Sequence, residues 1–119
     1  MYSKYGFIIQ ARMGSKRLPG KSLKKIKKKP ILGWIINSLK KDTIFRNKKI
    51  IVATTNLEID NVITRYSQNQ NIIVFRGNEK NVLKRYYECA VKFKLDNIVR
   101  LTSDNPFVNT HYLKKLLKS

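Results

Sequence analysis

Four short runs rich in branched and aromatic residues, at 7–9, 49–54, 72–75 and 97–102, are separated by segments with a helical period. Behind Pro30, which suits a first helical position, Ile31, Trp34, Ile35, Ser38 and Leu39 recur at helical spacing. Residues 57–69 and 79–94 read as two further helices. Asn109 is placed to cap a last amphipathic helix through Leu117. Strands alternating with helix-length segments predict βαβ units with right-handed crossovers and a mostly parallel, doubly wound α/β sheet with helices on both faces. Such a sheet binds ligands outside the carboxyl ends of its strands, where strand order reverses. The crevice is therefore predicted between the loop after the first strand and the loop after the fourth.

The first of these loops is the richest in chemistry. The strand at 7–9 empties into a Gly- and Pro-containing segment that carries Arg12, Lys16, Arg17 and Lys21. It misses the Walker A spacing, since five residues rather than four separate Gly14 from Gly20, and Pro19 has no N–H to offer a phosphate. Side chains rather than a backbone nest are expected to recognise charge here. The competing reading is a solvated basic loop. In the predicted topology Asp104, directly after the fourth strand, faces Lys21 and Arg12 across the cleft. A carboxylate there suits Mg²⁺, which takes oxygen ligands and shares its shell with water and phosphates. Asp before Asn105 and Pro106 also shapes turns through bonds to its own backbone.

The balance of 26 basic against seven acidic residues, a formal +19, raises the question of a nucleic-acid partner. The excess is mostly Lys, scattered through helices and turns, and no recognisable nucleic-acid module is present, so salt-sensitive sticking to polyanions is expected but no specific nucleic acid. Cys89 stands alone, which excludes an internal disulfide and a cysteine-built zinc site. No apolar run is long enough for a membrane span, and with a lone cysteine a cytoplasmic protein is the expectation. At 119 residues, with no linker or repeat, a single domain over 1–119 is expected. Cys89 falls with Val82, Tyr86 and Phe93 on one helical face and reads as core. His111 reads as a surface residue, and Glu79 as a helix-starting acid.

Five segments in order, QARMGSKRLPGK (10–21), VATT (52–55), VFRG (74–77), VLKRYY (82–87) and IVRLTSDNP (98–106), resemble the SpsF-type spore coat polysaccharide proteins, grouped with acylneuraminate and deoxyoctulosonate cytidylyltransferases. The resemblance covers the amino-terminal half of what members have. It implies a Rossmann-like, nucleotide-diphospho-sugar transferase-like fold, truncated to that half. It also implies a nucleotidyltransferase that activates a sugar or sugar acid with CTP and releases pyrophosphate, in surface polysaccharide or glycoconjugate biosynthesis. Arg12 and Lys21 then neutralise the triphosphate as catalytic groups. Ala11, Gly14, Ser15, Arg17 and Arg76 complete the nucleotide site, and Asp104 holds Mg²⁺. Arg76 reaches the ribose or base by resemblance, or forms a surface ion pair on its own reading. Asn81 stands where members commonly carry an acid, and Asn105 where they often carry Cys. The acceptor pocket, a further metal carboxylate and a dimerisation arm belong to the later half of members. A homodimer or a complementing second-half chain is thus implied as partner. The alternatives are a noncatalytic nucleotide-binding module that needs a separately encoded second half, and a basic nucleic-acid-binding protein.

Overall fold

The computed structural model describes residues 5–14, 20–103 and 108–118. In chain order its elements are β1 (Tyr5–Gln10), a short hairpin of β2 (Lys25–Ile26) and β3 (Lys29–Pro30), α1 (Ile31–Lys41), β4 (Lys49–Thr55), α2 (Asn61–Asn69), β5 (Ile73–Gly77), α3 (Val82–Lys92), β6 (Asn97–Thr102) and α4 (Thr110–Lys118). Strands β5, β4, β1 and β6 lie side by side in that order, all parallel, with Ile9 level with Val52 on one side and Leu101 on the other. The chain steps outward from β1 to β4 to β5, then crosses back to place β6 on the far side of β1. The reversal expected at the first strand is present.

Being central, β1 is buried on both faces, which explains its unbroken apolar run. Phe7, Ile9 and Ala11 point into a core closed by Ile31, Leu32, Ile35, Ile36 and Leu39 of α1 and Ile63 of α2. Ile8 points the other way, with Ile51 and Ala53, against Tyr86 and Cys89 of α3. Each fully buried aliphatic or Phe side chain stabilises the fold by about 1.5–3 kcal/mol. The α1 residues recur at offsets of one, four, five and eight, a stripe wide enough to bury the helix along its length. Burial pushes the Cys89 thiol up to about 11, so it is a packing group rather than a nucleophile.

Four local expectations are corrected. The hairpin β2–β3 was not foreseen, and Pro30 pairs with Lys25 at its end, one residue ahead of α1. Helix α3 starts at Val82, not Glu79, because the Asn81 side chain accepts the Lys84 N–H at 2.9 Å and caps it there. Glu79 consequently lies outside the first turn of α3. Helix α2 starts at Asn61, preceded by a 3-10 turn over Glu58–Asp60. The buried stripe of α3 is Arg85, Tyr86 and Cys89, while Val82 is 40% exposed. At the other end, Asn109 caps α4 as expected, its Oδ1 accepting the Tyr112 N–H at 2.9 Å.

The hairpin turns on Lys27 and Lys28, whose φ of 50° and 69° are both left-handed. A two-residue loop between right-twisted strands requires that backbone, and Asn-Gly ordinarily supplies it. Trp34 donates from Nε1 to the Ile26 carbonyl at 2.9 Å and stacks under the Lys29 ammonium, which clamps the hairpin onto α1. A lysine held there costs about 1 kcal/mol relative to glycine. Lys28→Gly is therefore expected to raise the unfolding free energy by about 0.5–1 kcal/mol, read from the urea midpoint; an unchanged or lower midpoint would show the turn to be unstrained.

Candidate functional site

The carboxyl ends of the parallel strands β1, β4 and β6 lie along one edge. Ala11 leaves β1 with its N–H bonded to the Ala53 carbonyl at 3.0 Å and its methyl buried under α1. Its contribution is to end the strand and start the turn that carries Arg12, which is half-buried. Met13 is fixed twice: its N–H donates to Asp60 Oδ1 at 2.7 Å, and its carbonyl accepts the Gly20 N–H at 2.9 Å. The second bond closes the loop at its base, and Gly20 sits at φ 72°, a conformation that favours glycine. Lys21 follows at once in a 3-10 turn, Lys21–Leu23, and is half-buried. Arg12 and Lys21 thus leave the two ends of one pinned loop.

The next residue, Ser22, joins this loop to the far strand. Its buried hydroxyl bonds the hydroxyl of Ser103, 81 residues later, which also donates to the Gln10 carbonyl at 3.0 Å. The Ser103 N–H reaches the same carbonyl at 3.2 Å. The neighbour of Lys21 and the neighbour of Asp104 are therefore stitched together over the end of β1, at the switch point. Ser15, Arg17 and Asp104 themselves lie outside the described residues.

The described partners of Arg76 are neutral groups rather than the carboxylate that a surface ion pair would need. Nε donates to the Thr55 carbonyl at 2.8 Å, Nη1 to Asn61 Oδ1 at 2.7 Å and Nη2 to the Leu57 carbonyl at 2.7 Å. Each of its nitrogens thus holds the segment between β4 and α2 against β5. A Cβ at Gly14 would meet open space, so the described fold sets no steric demand for glycine there.

Two residues of this edge escaped the sequence reading. Asp60 is fully buried, and besides Met13 it accepts the Thr55 hydroxyl on Oδ2, so one carboxylate ties the first loop to the end of β4. Arg85 is also fully buried. Its Nη1 donates to the carbonyls of Asn78 and Glu79 at 2.6 and 3.1 Å. Burial, then the nearby charge of Arg12, holds its pKa below the ordinary arginine value, with Tyr86 and Asp60 opposing. Gly77 makes room for its stem, since a Cβ there would lie 2.9 Å from Arg85 Cγ. The signal available in the sequence was the scarcity of carboxylates, which gives each of the seven weight.

Among the described residues no three His, Cys, Asp or Glu side chains cluster, and no helix is long and apolar enough to cross a membrane.

A parallel sheet that reverses at β1, with cationic loops on its carboxyl edge, is the architecture of nucleotide-handling α/β domains. The chain belongs to the cytidylyltransferase family, whose model matches residues 6–119. It is 35% identical over 115 residues to the spore coat polysaccharide biosynthesis protein SpsF of Bacillus subtilis, covering 95% of this chain and 48% of that protein. It is 32% identical to the 3-deoxy-manno-octulosonate cytidylyltransferase of Bartonella tribocorum, covering 85% of this chain and 41% of that one. Among solved structures, a cytidylyltransferase from Leptospira borgpetersenii serovar Hardjo-bovis superposes with a TM-score of 0.89 at 35% identity, over 98% of this chain and 48% of that one. The chain spans about half the length of the relatives it matches.

Proposed function

We propose that this chain is the nucleotide-binding half of a cytidylyltransferase that takes CTP with Mg²⁺ and a sugar or sugar-acid acceptor in surface polysaccharide or glycoconjugate biosynthesis. The observation that carries the reading is the Ser22–Ser103–Gln10 stitch, which brings the Lys21 loop and the segment leading into Asp104 to one edge at the switch point. Arg12 and Lys21 would neutralise the triphosphate, and the open space beside Gly14 admits close approach of a phosphate. By the resemblance, Ser15 and Arg17 would add contacts to the same phosphates. Arg76 acts through the 55–61 segment that it pins.

For the metal, the donor chemistry fits: a carboxylate at Asp104 is a hard oxygen ligand, and a magnesium site needs only one or two such groups beside substrate phosphates. Bound there, Mg²⁺ would neutralise charge on the phosphates. The chain's own work is then to position the α-phosphate for attack by an acceptor hydroxyl, with pyrophosphate leaving, as in other phosphoryl transfers. The acceptor site and full turnover would come from the remaining length found in relatives, supplied by a continuing or complementing chain, and a homodimer is a further partner of the reading. The reading places the work in the cytoplasm, where nucleoside triphosphates are.

Thermal melting tests this, because a ligand that binds only the native state raises its apparent stability. CTP with Mg²⁺ is expected to raise the midpoint more than ATP does. No shift with any triphosphate, together with a shift on adding duplex DNA, would overturn the reading in favour of a nucleic-acid binder.

A further inference from the structure

Arg85 is charged, fully buried and incompletely paired. Its Nη1 is held by two carbonyls, whereas Nε and Nη2, both shielded from solvent, have no hydrogen-bond partner among the described residues. A buried guanidinium ordinarily has its donors filled. Asp60 does not fill them: its two oxygens are engaged by Met13 and Thr55, and it acts on Arg85 only through its charge. The unpaired Nε–Nη2 edge is the fork that grips an oxyanion bidentately. It sits beyond the end of β5, over Gly77, with the positive charge of Arg12 close enough to be felt.

We propose that Arg85 is a second guanidinium of the anion site, which takes an oxyanion of the bound phosphate chain on its Nε–Nη2 edge together with Arg12. The proposal rests on the nucleotide reading above. An oxyanion is favoured over a neutral base because a negative charge offsets the positive charges of Arg85 and Arg12, which a neutral base does not. Because both nitrogens are shielded, the oxyanion reaches them only as the surrounding chain gives way.

The test titrates inorganic pyrophosphate, CMP and CTP into the wild-type chain and Arg85→Lys, which keeps the charge and loses the fork. Pyrophosphate and CTP are expected to bind about tenfold more weakly to the variant, with CMP affected less. Should the variant fold poorly, the ¹⁵Nε–Hε resonance of Arg85 in the wild-type chain reads the same contact and is expected to shift as pyrophosphate saturates. An unmoved resonance, or a variant that melts lower yet binds pyrophosphate as the wild type does, would reduce Arg85 to a structural role. Pyrophosphate binding at Arg85 without CTP binding would support the anion contact and overturn the nucleotide reading. A wild-type chain that binds neither overturns both.

Discussion

Asp60→Ala is expected to lower the unfolding free energy by about 3–5 kcal/mol, the range for removing one partner from a buried charged network. The carboxylate is fully buried and meets the Met13 N–H at 2.7 Å and the Thr55 hydroxyl. Its loss leaves an amide and a hydroxyl unsatisfied and removes the negative charge that offsets buried Arg85. Asp60→Asn keeps the size and one acceptor, so a smaller loss is expected. Urea unfolding of both variants reads the difference. A loss below about 1 kcal/mol in the alanine variant, an ordinary single hydrogen bond, would show that Asp60 does not hold the first loop to β4.

Lys21→Ala is expected to behave in the opposite way, with CTP affinity reduced by about 1.5–3 kcal/mol, the value of hydrogen bonds to charged groups, and stability within about 0.5 kcal/mol of wild type. The 3-10 turn that carries Lys21 is made by backbone bonds, the Lys24 N–H reaching the Lys21 carbonyl at 3.0 Å and the Leu23 N–H the Gly20 carbonyl at 3.2 Å. Truncating the side chain leaves those bonds intact. Calorimetric titration beside thermal melting separates the two effects. Equal affinity in both proteins would remove Lys21 from the site.

The strands and their order were legible because a parallel core strand announces itself as an apolar run and because the helical segments between the runs force parallel crossovers. The hairpin was hidden because Lys27-Lys28 carries none of the glycine or asparagine that marks a left-handed turn. The start of α3 was misplaced because Glu79 looks like a first-turn acid, whereas the nearby Asn81 supplies the cap. Arg85 could not be read as buried: apolar patterning assigns arginine to the surface, and only the absence of a side chain at Gly77 leaves room for its stem. Asp60 was absorbed into a helix that begins one residue later. The stitch between Ser22 and Ser103 spans 81 residues and has no local signature. Local chemistry thus revealed the loop cations, while the bonds that aim them are tertiary.

The central claim is that a nucleotide sits on the carboxyl edge between the loop after β1 and the end of β6. Backbone amide shifts of the ¹⁵N-labelled chain, followed as CTP is added with Mg²⁺, test it most directly. The largest shifts are expected at Arg12, Met13, Gly14, Lys21, Ser22 and Ser103, weaker when Mg²⁺ is withheld. Shifts concentrated instead at the opposite edge, around Lys48, Lys49, Lys92 and Lys94, and erased by moderate salt, would mean that the chain only attracts polyanions through its charge, and would contradict the assignment.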